Sequence, residues 1–389
     1  MRNILFVILL VLTGNNLFAQ PFQIGHITAI FIDSSRSNRS VSTEIYYPSD
    51  VTGDNVSFTT AIAGKVPTIS FGHGFVMTYD AYFNIRNAVV ATGYVIAFPT
   101  TEGSLSPSHN DFGKDLAFVL KSLEKLGANS SSILYNKIDT MNCVMGHSMG
   151  GGAAFLAAAS DNTIKSIVTL AAAETTPSAV TAASSITAPG LVFAGVNDCV
   201  APPATNQSLM YNSLASICKQ YIGIIGGSHC QMADASATCS FGEATCTPAP
   251  TISRSAQQAV IDTYLVPWLN YHLKGDCASG NHFDNKIVSD VTINYQKNCT
   301  LCTAAAISNN NLNATIKLAP NPFHDDLRIA LPEGKKYRLS IMSVAGVPVY
   351  QDAAVTNNTS INLSHIAAGV YLYEIVGIDL NYKGILVKE

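Results

Sequence analysis

The chain has 389 residues, of which 48% are hydrophobic and only 12% charged, and it carries a formal net charge of −4. That length suggests about two domains, with ample apolar material for a large core. The mild negative balance, with no block of like charge, gives no electrostatic reason to expect nucleic acid or an anionic membrane surface as a partner.

At the start, Arg2 precedes an apolar stretch from Ile4 to Leu12 and a cleavage-like Ala19-Gln20. The stretch is too short to span a bilayer, and the pattern predicts a secretory signal peptide over residues 1–19. Export would place the nine cysteines where disulfides persist. The odd count leaves one unpaired. Cys143, within the apolar run Met141-Asn-Cys-Val-Met145, is the expected free thiol.

The body alternates short β-rich runs with longer amphipathic ones. Residues 24–32 and 43–47 read as a leading hairpin, and strands are expected at 66–71, 94–98, 139–145, 165–171, 190–195 and 220–225. Phe112, Leu116, Val119, Leu120 and Leu123 fall at helical spacing, and a second long helix is expected around 253–273. Nearly all-apolar strands separated by helices imply an α/β fold, with a mostly parallel sheet covered by helices on both faces. Residues 20–302 form this catalytic domain. Residues 303–315, rich in Ala, Ser and Asn, read as a linker. Beyond it, short alternating strands at 337–343, 347–351, 359–363, 370–377 and 383–387 predict a small all-β module over 316–389.

Gly146-His-Ser-Met-Gly150 is a G-x-S-x-G motif that follows an apolar strand and opens the small-residue run 150–159. A serine presented on so sharp a strand-to-helix turn needs glycine neighbours, and Ser148 is the candidate nucleophile. Its base and orienter should follow in the order Ser, Asp, His, each past the carboxyl end of a strand. Leu191-Val-Phe-Ala-Gly-Val-Asn-Asp198 and Tyr221-Ile-Gly-Ile-Ile-Gly-Gly-Ser-His229 meet that requirement, so Asp198 and His229 complete the candidate triad. His109, in a loop, is an alternative base; His147 is expected to be structural; His26, His272, His282, His324 and His365 suit surface or packing positions. A tetrahedral intermediate needs two backbone donors, assigned to the amides of Met149 and of Phe75 in the loop Phe71-Gly-His-Gly-Phe75. His73 in that loop is either a substrate contact or a plain loop residue.

These segments, Gly-His-Ser-Met-Gly-Gly-Gly around Ser148, Val192-Phe-Ala-Gly-Val-Asn-Asp-Cys-Val-Ala-Pro202, and Lys219-Gln with Gly226-Gly-Ser-His229, together resemble the bacterial cutinase-like polyester hydrolases, including the PET hydrolases, of the α/β-hydrolase superfamily. The resemblance covers most of residues 22–302. It implies a serine esterase with the same triad and oxyanion donors, Phe75 also lining the substrate cleft, and a polyester or other ester as substrate. Many members carry a tryptophan after the strand that follows the nucleophile helix; here that stretch reads Ala171-Ala-Ala-Glu-Thr175, and the single tryptophan is Trp268. A small-ester or acyl-lipid esterase is therefore the enzyme alternative, and a surface-binding protein with an inactive hydrolase body the non-enzyme one. No cofactor or metal is expected, and the chain is expected to act as a monomer.

In the C-terminal module, Leu318-Ala-Pro-Asn-Pro-Phe323, Ser343-Val-Ala-Gly-Val-Pro-Val-Tyr350 and Ile361-Asn-Leu-Ser-His-Ile-Ala-Ala-Gly-Val-Tyr-Leu372 resemble the C-terminal sorting domain of the type IX secretion system. That implies recognition by the outer-membrane export machinery and an extracellular or cell-surface destination; a carbohydrate-binding or adhesive module is the rival. Among the cysteines, Cys199 and Cys230 each follow a triad residue, so a bridge between them would join the acid and base loops. Cys239 and Cys246 are near enough to close a small loop, and Cys277 pairs with Cys299 or Cys302.

Overall fold

The computed structural model describes residues 22–302, 316–331, 333–343, 347–377 and 380–389; the expected signal peptide (1–19) and linker (303–315) lie outside them. The chain divides into two compact units, Met1–Thr303 and Ala304–Glu389.

The first unit is built on one ten-stranded sheet. Its strands are β1 (Gln23–Asp33), β2 (Arg39–Ser49), β3 (Gly53–Asp54), β4 (Val66–Gly72), β5 (Val95–Pro99), β6 (Ile138–His147), β7 (Ser166–Leu170), β8 (Gly190–Gly195), β9 (Lys219–Ile224) and β10 (Ile293–Lys297). They lie in the order β10-β9-β8-β7-β6-β4-β5-β2-β1-β3. The block from β5 to β9 is parallel, while β2 joins β5, and β10 joins β9, antiparallel. Every residue of β4, β5, β7 and β8 is buried, as strands covered on both faces require.

Helices α1 (Phe83–Val90), α2 (His109–Ala128), α3 (Met149–Ser160), α4 (Ala179–Ala183), α5 (Gln207–Ser213), α6 (Ala237–Glu243), α7 (Arg254–Lys274) and α8 (Cys277–Ile287) supply the cover. Alternation along β6 assigns the faces. Val144 packs with Phe112, Leu116, Phe155 and Ala157 of α2 and α3. Cys143 and Met145 pack with Ile85 of α1 and with Ile261, Tyr264, Leu265 and Trp268 of α7. The lone tryptophan is thus a core anchor, fully buried, with Nε1 donating to Ser166 Oγ at 3.0 Å. Helix α2 begins three residues before Phe112, so His109 is its first residue and not part of a loop as expected; Ser108 caps it there, its Oγ accepting from Asp111 N at 3.2 Å. Strand β10 had no counterpart in the sequence reading. It buries only Ile293 and lies at the sheet edge, so no run of apolar residues marks it. Disulfides Cys218–Cys299 and Cys277–Cys302 fasten the segment around it. Cys143 is the unpaired, buried cysteine, and burial pushes its thiol pKa up.

The second unit has two antiparallel sheets. One holds β11 (Lys317–Ala319), β12 (Asp326–Ala330) and β15 (Thr359–Asn362). The other holds β13 (Tyr337–Ser343), β14 (Pro348–Val355), β16 (Gly369–Gly377) and β17 (Leu380–Lys388), in the order β14-β13-β16-β17. Leu327 and Ile329 from the first sheet share one core with Leu339, Ile341, Ile375 and Leu386 from the second. Strands β11 and β12 went unread in the sequence although Leu327 and Ile329 alternate, because three- and five-residue strands leave little periodicity to detect.

Candidate active site

Strand β6 runs directly into Ser148, and α3 begins at the next residue. Ser148 adopts φ 55° and ψ −122°, a conformation that non-glycine residues rarely occupy. The surroundings hold it there: Ser148 N donates to Leu170 O at 3.0 Å, and Ser148 O accepts from Gly152 N at 3.1 Å and Ala173 N at 2.9 Å. The turn needs its glycines because backbones meet there. A Cβ on Gly146 would sit 2.2 Å from Gly150 O, and one on Gly150 would sit 2.1 Å from Gly72 O.

Asp198 lies just past β8 and His229 just past β9, both buried. His229 Nδ1 is 2.7 Å from Asp198 Oδ2. The other carboxylate oxygen accepts from Val200 N at 2.9 Å and Ala201 N at 2.8 Å, which fixes the plane of the acid. With Nδ1–H directed at a carboxylate, the neutral ring turns the lone pair of Nε2 outward, the tautomer a general base requires. Among the described hydrogen bonds none joins Ser148 Oγ to the His229 ring; in sites without substrate such contacts are often long.

Side chains grip the turn that carries His229. Gln257 accepts from Ser228 N and donates to Ser228 O, both at 2.8 Å. His147 Nε2 lies 3.2 Å from His229 O, and His147 Nδ1 lies 3.0 Å from the Tyr82 hydroxyl, which accepts from Gly74 N at 2.8 Å. Burial, followed by the neighbouring His229, holds the pKa of His147 well below the usual histidine range, consistent with a neutral structural residue. His109 is engaged elsewhere, its Nδ1 accepting from Thr176 N at 3.1 Å.

Met149 is the first residue of α3, so its amide is one of the N–H groups that a helix start leaves without an intrahelical partner. Phe75 sits in a tight turn closed by Met77 N donating to Gly74 O at 3.0 Å; the following Val76 has φ 53°, a rare value for a β-branched residue. The Phe75 side chain is half-exposed, whereas His73 is buried, its ring nitrogens each 2.9 Å from the backbone oxygens of Gly74 and Thr101 and its ring against Phe112.

The expected Cys199–Cys230 bridge is absent. Cys199 pairs with Cys246, and Cys230 with Cys239, so the suggested Cys239–Cys246 loop is absent too. The acid and base loops are already joined through Asn197 N, which donates to Gly227 O at 2.8 Å. Both cysteines instead reach the short helix α6 and the turn after it, an excursion of the chain that sequence spacing does not reveal. Glu243, Arg254, Gln257 and Tyr82, which shape the site from outside the motifs, were missed for the same reason: each acts on a main-chain atom distant in sequence, and no local pattern marks them.

A mostly parallel sheet covered on both faces, with a serine on a strained strand-to-helix turn and an Asp–His pair beyond two neighbouring strands, defines an α/β-hydrolase fold. The chain belongs to the PET hydrolase-like family, whose model matches residues 17–246, more than half of its length. Residues 317–388 match the secretion system C-terminal sorting domain. Over 102 residues, 26% of this chain, it is 35% identical to Cutinase 1 of Thermobifida cellulosilytica and to a cutinase of Thermobifida fusca (strain YX). The aligned stretch spans 37% and 33% of the lengths of those two relatives.

Proposed function

We propose that the protein is a secreted carboxylic-ester hydrolase acting on polyesters, cutin-like or PET-like, by an acyl-enzyme mechanism. The observation that carries this reading is the buried 2.7 Å contact between His229 Nδ1 and Asp198, placed at the same sheet end as the strained Ser148. Ser148 Oγ attacks the ester carbonyl while His229 Nε2 takes its proton, and Asp198 holds the resulting imidazolium. The amides of Met149 and Phe75 receive the developing oxyanion. Collapse expels the alcohol, protonated by His229, and leaves the acyl group on Ser148. Water, activated by the same histidine, then attacks the acyl-enzyme and releases the acid.

The C-terminal unit would hand the protein to the type IX export machinery, with residues 1–19 as the signal for the first membrane. A second reading, a small-ester or acyl-lipid esterase, is favoured by one feature. The stretch Ala171-Ala-Ala-Glu-Thr175, where many members of the resembled family carry a tryptophan, has no aromatic residue, and its Glu174 is tied down by accepting from Val180 N and by donating its own amide to Asn206 Oδ1. The deciding experiment runs wild type and Ser148→Ala from short nitrophenyl esters to an aromatic polyester film. Wild-type turnover of both, abolished by Ser148→Ala, is expected. Turnover of short esters alone selects the second reading, and turnover by a folded Ser148→Ala protein defeats the nucleophile assignment.

A further inference from the structure

Glu243 is the last residue of α6, and its carboxylate reaches back to the base. Its Oε1 accepts from His229 N at 2.8 Å and from Cys230 N at 3.3 Å. His229 opens a single helical turn, residues 230–232, so its N–H has no partner earlier in that turn. The other main-chain contacts of the 228–229 segment are with neutral groups: Gln257, His147 and Met232 N, which donates to His229 O at 3.3 Å. At His229 N and Cys230 N the acceptor is a carboxylate, and hydrogen bonds to an ionised acceptor are about twice as strong as neutral ones.

We infer that Glu243 is a positioning residue for the base: it fixes the main chain of His229 so that the imidazole, already held in its tautomer by Asp198, stands where the serine needs it. This rests on the reading of His229 as the base. Asp198 restrains the ring through Nδ1 but not the backbone that carries it, and a ring displaced with its backbone can keep the aspartate while losing the serine. Helix α6 is a firm platform for this grip. The bridge Cys230–Cys239 ties its middle to the base loop, and Cys199–Cys246, just beyond its end, ties it to the acid loop. Arg254 completes the clamp from the opposite polarity, its Nη1 donating to the carbonyls of Cys230 and Ala233. Glutamate thus takes the amides and arginine the carbonyls of one turn. The bridges limit how far the loop travels; the carboxylate sets how the turn is oriented.

The test measures kcat and KM on a soluble nitrophenyl ester for the full chain as wild type, Glu243→Ala, Glu243→Gln and His229→Ala. Because small misplacements of a catalytic group cost up to about a hundredfold, Glu243→Ala is expected to lower kcat about tenfold with KM within about twofold. Glu243→Gln, whose amide oxygen accepts the same N–H, is expected to restore most of the loss. If the alanine protein does not fold, Glu243→Met, which keeps the stem but has no oxygen to accept, is read the same way. Wild-type kcat in the variant lacking an acceptor, a change in KM alone, or a glutamine variant as slow as alanine would overturn the inference. His229→Ala separates the two levels. Activity surviving in it defeats the base assignment, whereas an inactive His229→Ala beside an unaffected Glu243→Ala defeats only the role of Glu243.

Discussion

The two units solve the burial of a β-sheet in opposite ways. In the first, central strands are apolar on both faces and closed in by helices, so polar groups collect where strands end, and Ser148, Asp198 and His229 all lie beyond carboxyl ends. In the second, strands alternate: along β16, Tyr371, Tyr373 and Ile375 point into the core while Val370 and Leu372 are exposed. No comparable set of strained turns and buried polar pairs occurs among its described residues. One unit concentrates chemistry at a sheet end; the other offers sheet faces and edges, the surfaces a recognition module presents.

The sharpest way to break that comparison is to remove the proposed orienting acid. Asp198→Asn should lower kcat by about 10⁴-fold on a soluble ester while leaving the fold intact, because the amide favours the wrong tautomer of His229. A loss under tenfold in steady-state assays would place the chemistry elsewhere.

Next in size is the covalent brace. The Cys199–Cys246 bridge spans 47 residues, which in the chain-entropy treatment corresponds to about 4 kcal/mol, against about 2.5 kcal/mol for a loop the size of Cys230–Cys239. The Cys199→Ser, Cys246→Ser protein should therefore melt several degrees lower than wild type and lower than Cys230→Ser, Cys239→Ser. Peptide mapping of the oxidised protein should recover these pairs; recovery of a Cys199–Cys230 peptide would contradict the structure.

A smaller, graded effect follows from His147. Burial depresses its pKa, so the unfolded chain binds a proton below about 6.5 that the folded chain refuses, and stability present above that pH is lost as pH falls, at up to about 1.4 kcal/mol per pH unit. His272, lowered by burial to about 4, acts in the same direction. Melting curves of the chain ended after Cys302 should shift downward between pH 7.5 and 5, and His147→Phe should flatten the slope. The two histidines of the second unit, His324 and His365, are exposed.

The smallest effect expected is that of deleting residues 316–389. Since every proposed catalytic residue lies in the first unit, kcat/KM of the purified protein should stay within about twofold. Export past the outer membrane of the native host should fail instead; full secretion of the truncated form would defeat the sorting role.

What could be read from the sequence follows from the range of the interactions. Strands β4 to β9 were legible because burial on both faces makes their runs mostly apolar, and Ser148 because an elbow that brings Gly150 within contact of Gly72 demands glycine locally. Asp198 and His229 were legible through strand-then-acid and strand-then-histidine order. Strand β10 was not, since an edge strand with one buried side chain carries no period. The disulfide partners were not, since pairing depends on where α6 folds back, and neither Cys239 nor Cys246 signals that direction. Glu243 was illegible for the same reason.

Trp268 gives the molecule a built-in optical label. It is the chain's single tryptophan, sealed in the core of the first unit with its ring 4.2 Å from that of His272. The second unit contains tyrosines but no indole, so emission excited at the red edge reports the first unit alone, even in the intact chain. An imidazolium beside an indole would quench it, but burial keeps His272 neutral until about pH 4. In milder acid, a change in that emission therefore records the packing around α7 coming apart, not the titration of its neighbour.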